Sequence, residues 1–219
     1  MTKSHLKKLT LPRTWNIPRK SFNRQRNKFI SRPNPGKELE LSVSLNTFLK
    51  EMASVCQNTK EVKALLQYKN VLVNGVRARD KKYPVGLFDV VTLQEADEHY
   101  RLTLSEFGKM IAVPVDKKEK DMFLRKITGK KVLKQGKQQL NLSGSANLTV
   151  DKIEGKTGDV VVVENKNVKK TLSLEKGKQA LLTSGRHIGT IAKVEGVEGN
   201  TLFIEVDGGD AEQPGWRNA

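Results

Sequence analysis

Residues 1–37 hold eleven Lys and Arg (Lys3, Lys7, Lys8, Arg13, Arg19, Lys20, Arg24, Arg26, Lys28, Arg32 and Lys37), no Asp or Glu, and four prolines (Pro12, Pro18, Pro33, Pro35). A segment of this kind has too few apolar residues to build a core, and its prolines oppose regular helix. Leu6, Leu9, Trp15, Ile17, Phe22 and Phe29 are nevertheless set among the charges, which a merely solubilising tail would not need. Cations for phosphates interleaved with rings for stacking on bases suit a nucleic acid. Residues 1–40 are therefore expected to be a basic extended arm that orders on a partner, with Lys7, Lys8, Arg13, Arg19, Lys20, Arg24, Arg26 and Arg32 as candidate phosphate contacts. Trp15 has two open roles, stacking on a base or plugging a protein groove.

The same bias runs through the whole chain. Of 219 residues 40 are Lys or Arg and 24 are Asp or Glu, a net charge of +16 to which residues 1–37 contribute eleven. Each cation that neutralises a phosphate releases counterions, so this composition predicts a polyanionic partner and salt-sensitive binding, without choosing between RNA and DNA. Hydrophobic residues at 37% and aromatic residues at 5% favour several small modules over one large core. No stretch reaches the roughly 18 apolar residues that span a bilayer, and the first residues contain no secretory apolar region. The expectation is a cytoplasmic protein with no membrane partner.

Catalysis needs convergent groups, and few are available. Cys56 is the single cysteine, which excludes an intrachain disulfide and a cysteine metal cluster. His5, His99 and His187 are far apart, and neither His-Glu-x-x-His, Cys-x-x-Cys nor Gly-x-Ser-x-Gly occurs. Gly155-Lys156-Thr157 imitates the end of a phosphate-binding loop, but Val150 stands where that loop requires glycine, so a turn is expected. No catalytic residue, metal, cofactor or small-molecule substrate is predicted.

After the arm the patterning changes. From about Leu41 the spacing is helical, with Leu45, Phe48, Leu49, Met52, Ala53 and Cys56 on one face. Asn58, with Glu61 three residues on, has the form of a cap and its partner, opening a second helix with Val62, Leu65 and Leu66 on its apolar face. Val71-Leu72-Val73, Asn74-Gly75 and Val76-Arg77-Ala78-Arg79 predict a hairpin, and Asp89 to Leu93 a further strand. Residues 41–94 thus read as a small α/β unit of two helices plus hairpin. Residues 95–178 contain short β-like runs, which predict a central β-barrel-like domain. It carries a second basic stripe over 117–137 that includes Lys130, Lys131 and Lys134. Residues 179–207 form a last β unit around Gly185 and Gly189, and 208–219 an acidic tail. The predicted fold class is mixed α+β and multi-domain.

Residues 42–93, above all Thr59 to Leu66, Val71 to Asp80 and Tyr83 to Val91, resemble the "S-four" RNA-binding domain. They are most similar to its version in the small-subunit ribosomal protein S-four-e family of archaea and eukaryotes. His5 to Leu9, Pro12 to Trp15 and Arg32 to Gly36 resemble that family's N-terminal arm. Gly136 to Leu142 is similar to its central β domain, and Thr183 to Ile191 to its C-terminal KOW motif. The stretches occur in order and cover most of the chain, though Asp207 to Ala219 departs from the family's hydrophobic end. The resemblance implies a C-terminal SH3-like KOW β-barrel and a partner, small-subunit rRNA, together with neighbouring small-subunit ribosomal proteins. It implies that Lys60, Lys63, Arg77, Arg79, Lys81 and Lys82 form one basic face toward rRNA, and that Arg186 and His187 serve a KOW loop near RNA. The expected function is a structural constituent of the small ribosomal subunit. An RNA-modifying enzyme of the pseudouridine-synthase type, or a free KOW-type regulatory factor, are the alternatives.

Overall fold

A computed structural model of the chain describes residues 5–19, 28–133, 136–151, 155–164, 167–198 and 201–205. The described parts of the amino-terminal segment do not stand away from the body. β1 (His5–Lys7) pairs antiparallel with β2 (Phe29–Ser31). Leu11, Trp15, Ile17 and Ile30 are buried in the main core. Apolar residues too sparse to form a core of their own are covered by the core of a neighbouring unit.

Ser42–Ser44 is a strand, β3, antiparallel to β6 (Pro84–Gly86), so the helix expected from about Leu41 begins four residues later, at Leu45. α1 (Leu45–Thr47) starts at Ser44, whose Oγ accepts from Thr47 N at 3.3 Å, and continues as a π-helical turn over Phe48–Met52. Ser54, at φ 53°, ends it. α2 (Thr59–Tyr68) is capped by Asn58, whose Oδ1 accepts from Lys60 N at 2.9 Å and Glu61 N at 3.1 Å. Glu61 Oε2 in turn accepts from Gln57 N at 2.7 Å. A cap of this kind contributes about 1 kcal/mol. Val62 and Leu66 turn the helix face into the core.

β4 (Val71–Val73) and β5 (Val76–Arg77) close over Asn74 and Gly75, at φ 52° and 75°. Two successive positive φ angles give the type I′ turn whose twist matches paired strands. With β7 (Val90–Leu93), β8 (Glu98–Leu104) and β9 (Met110–Pro114) they form an antiparallel sheet in the order β5-β4-β7-β8-β9. This sheet runs across residue 95 to Pro114. Trp15 adds a single parallel bridge to Met110 at its edge.

The second sheet has the order β12-β11-β10-β13-β14, from β10 (Met122–Val132), β11 (Gln138–Leu142), β12 (Ala146–Val150), β13 (Val160–Glu164) and β14 (Asn167–Leu172). β10 is shared. Met122 to Lys126 pair with β13 and Ile127 to Val132 with β11, with a register shift between Ile127 and Gly129. The shift bends the strand, and its two halves enclose Ile127, Leu140, Leu142, Val161 and Val163. Gly155-Lys156-Thr157 is a turn into β13, with Lys156 N donating to Asp159 Oδ2 at 2.7 Å. The third sheet, β15 (Gln179–Leu181), β16 (Ile191–Glu198) and β17 (Thr201–Glu205), packs over Leu182, Ala192 and Ile204. The molecule is accordingly mostly β with two short helices, a lower helix content than the mixed α+β expectation carried. The 208–219 tail lies outside the described residues.

One buried group ties these pieces together. Asp89, at 0% relative exposure, forms salt bridges with Lys37 of the amino-terminal segment and with Arg125 of β10. Its Oδ1 also accepts from Asn74 Nδ2 at 3.0 Å and its Oδ2 from Gly86 N at 2.7 Å. Arg125 Nη1 donates to Leu87 O at 3.2 Å. Burial pushes the Asp89 carboxyl up, but Arg125 and Lys37, with the Asn74 hydrogen bond, override it and hold the carboxyl below its ordinary value.

Removing one partner of a buried ion cluster strands the others, so Asp89→Ala is expected to cost about 3–5 kcal/mol of stability, measured by denaturant unfolding. A carboxyl depressed in the folded state contributes stability that is present above its unfolded value and lost as pH falls through the folded value. Thermal unfolding of the wild type should therefore weaken below about pH 4, and Asp89→Asn should flatten that acid limb.

Candidate nucleic-acid interface

The β4–β5 hairpin and α2 leave a groove between them, lined by Lys63, Leu66, Gln67, Arg77, Arg79, Asp80 and Lys81. Its geometry follows from strand periodicity. Ala78 is buried and its N–H donates to Val71 O at 2.9 Å, so the flanking Arg77 and Arg79 both face outward. Lys63 comes from the exposed side of α2, one helical turn before Leu66, and exposed Lys60 lies one turn before Lys63. Lys82, half-buried, adjoins Lys81, and its N–H donates to Asp80 Oδ1 at 3.0 Å. Asp80 Oδ2 accepts from Asn34 Nδ2 at 2.7 Å, and Asn34 N donates to Lys82 O at 2.9 Å, which brings the amino-terminal segment to the groove's edge.

Several cations elsewhere on the surface are paired with carboxylates. Lys69 pairs with Glu95 at 3.3 Å, Arg101 with Glu119 at 2.9 Å, Lys169 with Glu164 at 2.9 Å and Lys178 with Glu175 at 2.9 Å. Among the described residues, none of Lys63, Arg77, Arg79 and Lys81 forms a salt bridge. Four cations converging without carboxylate partners keep their charge for an anion from outside the chain.

The other candidates are more scattered. Lys7, Arg13 and Arg19 are exposed, Lys8 and Arg32 half-buried, and Arg19 Nη2 donates to Leu11 O at 3.0 Å. Lys20, Arg24, Arg26 and Lys134 lie outside the described residues. Lys130 and Lys131 are exposed on β10, away from the groove residues in sequence and sheet. Arg186 and His187 are exposed in the loop between β15 and β16. Trp15 is 2% exposed, and its Nε1 donates to Leu39 O at 3.2 Å, so its ring is enclosed by this chain's own residues.

Three features lay beyond the sequence reading. Asp89, Lys37 and Arg125 form the buried cluster described above, and no local signal marks three charges so far apart as partners. His99 is buried, with Nδ1 3.3 Å from Thr92 Oγ1 and Nε2 3.5 Å from Asp97 Oδ1. Phe107, at the β8–β9 turn, is exposed although it is one of seven phenylalanines in the chain. Among the described residues no group of His, Cys, Asp and Glu is arranged to hold a metal ion, and no helix is long and apolar enough to cross a membrane.

This assembly of a capped helix, a cation-bearing hairpin and two further β units has known counterparts. The model of ribosomal family S4e matches residues 96–170. The small ribosomal subunit protein eS4 of Methanospirillum hungatei is 31% identical over 166 residues, covering 76% of this chain and 66% of that protein. The protein of the same name from Nanoarchaeum equitans is 35% identical over 175 residues, covering 79% of this chain and 73% of that protein. The crystal structure of the 30S ribosomal protein S4e from Thermoplasma acidophilum shares the fold, with a TM-score of 0.64 at 23% identity, over 75% of this chain and 88% of that one. The chain belongs to ribosomal family S4e.

Because Trp15 is a core residue, Trp15→Ala is expected to cost about 3–5 kcal/mol in denaturant unfolding, with Trp15→Phe recovering much of the loss. Direct base stacking would instead show as a loss of RNA affinity at unchanged stability.

Proposed function

We propose that this protein is a structural constituent of the small ribosomal subunit that binds rRNA through the groove of Lys63, Arg77, Arg79 and Lys81, supported by Lys60 and Lys82. The observation that carries the reading is the convergence of four cations without ion-pair partners, beside a fold shared with small-subunit proteins. The mechanism is positional. A rigid array of cations binds a folded arrangement of RNA phosphates better than an open one, and so shifts the RNA toward the folded arrangement. Exposed Lys7, Arg13 and Arg19, with Lys130 and Lys131, extend the contact beyond the groove, each contributing through counterion release.

In this reading the units are an amino-terminal basic segment, an S-four-type RNA-binding domain, a central β domain and a KOW domain. The partners are small-subunit rRNA and neighbouring small-subunit proteins, and the place of action is the cytoplasmic ribosome. Such a protein needs no cofactor and performs no catalysis. An RNA-modifying enzyme or a free KOW-type factor finds less support, because the relatives over most of the chain are ribosomal proteins.

Replacing Arg77 and Arg79 together by Ala should weaken binding to small-subunit rRNA and reduce the slope of log affinity against log salt by about one to two units. Filter binding over a salt series measures it. An unchanged slope would show that these side chains touch no phosphate.

A further inference from the structure

The β8–β9 turn presents Phe107 at 86% relative exposure, the largest value among the exposed large hydrophobic side chains of the described residues. The turn is not a loose tip. Gly108 N donates to Ser105 O at 2.9 Å, and Ser105 N donates to Lys109 O at 2.7 Å. Its far side is pressed against the β15–β16 loop through two glycines. A Cβ on Gly189, at φ 93°, would collide with Ser105 O and stand 2.7 Å from Gly108 N; a Cβ on Gly108, at φ 66°, would collide with the Ile188 side chain. Only glycine at both positions permits so close an approach.

The contact fixes which side chains share the tip. Phe107 precedes Gly108, and exposed Arg186 and His187 precede Ile188 and Gly189, so the two loops bring them within a residue or two of a common contact. A third strand of chain joins from the other side, where Lys109 Nζ donates to Arg13 O and Met110 N donates to Thr14 O at 2.7 Å. Exposed Arg13 thereby belongs to the same surface. Glu106 is the acid at this turn. An exposed ring held on a glycine-locked turn, with Arg186 and Arg13 on the two segments that contact the turn, has the composition of a single-strand RNA contact: one face for a base and charges for the flanking phosphates.

We propose that Phe107, with Arg186, His187 and Arg13, forms a landing site for one unpaired nucleotide of RNA, the base stacking on Phe107 and the adjoining phosphates meeting the two arginines. This inference rests on the RNA-binding reading above and adds a preference that the groove does not supply. Phosphate contacts in the groove are indifferent to whether a base is paired, whereas a ring can stack only on a base that has left its helix.

The test uses the full chain and two RNA probes of equal length, a perfect duplex and the same duplex with one bulged adenine. Wild type is expected to bind the bulged probe more tightly. Phe107→Ala should lose about tenfold on the bulged probe and less than twofold on the perfect duplex, while Phe107→Trp keeps the preference. As Phe107 is exposed, an unchanged thermal midpoint is expected for both variants. Equal affinity of Phe107→Ala and wild type for the bulged probe would overturn the proposal while leaving the groove reading intact, and would turn attention to a protein surface as the occupant. Failure of wild type to bind either probe would overturn both.

Discussion

A carboxylate with no solvent exposure, set between an ammonium and a guanidinium, is the point at which the parts of this molecule meet. Asp89 begins the turn into β7, Lys37 belongs to the amino-terminal segment, Arg125 to the long strand of the second sheet, and Asn74 to the hairpin turn. A buried ion cluster is weak evidence for net stability, because desolvation offsets much of the attraction. What it supplies is selectivity of arrangement: any packing that separates the three segments leaves charges buried without partners, at a cost of several kcal/mol. The relation of hairpin to second sheet is thereby fixed by one residue more than by a broad apolar interface.

That fixed relation matters for a protein rich in cations. Self-repulsion of a net +16 chain favours expansion, and its apolar content is small. Some cations are neutralised locally, as at Lys69, Arg101, Lys169 and Lys178, while those that line the α2–β5 groove form no salt bridge among the described residues. The groove stands on a capped helix and a type I′ hairpin, both short elements whose geometry is set locally. Cations mounted on such a frame lose less freedom on meeting phosphates than cations on a flexible chain would.

The elements legible in the sequence are those whose signals are local. Asn58 with Glu61 and Asn74-Gly75 each specify their structure within a few residues, and from them the start of α2 and the hairpin follow. β10 escaped notice although it is the longest strand, because its inward positions include Arg125 and its other residues read as a basic stripe. The amino-terminal segment was legible in charge but not in packing: Leu11, Trp15, Ile17 and Ile30 show no period, since each fills a gap in a core made by other elements. The Asp89 cluster and the Gly108–Gly189 contact join residues dozens of positions apart, which no single sequence can display as pairs. Family resemblance supplied the functional reading that composition left open between RNA and DNA.

The most direct test of the account is sedimentation of a native lysate through a sucrose gradient at high salt, with each fraction probed for this chain. Screening weakens isolated surface charges but leaves an array held in register by a folded frame attached. The account predicts that the protein travels with the small ribosomal subunit. Recovery at the top of the gradient, free of subunits, would contradict it.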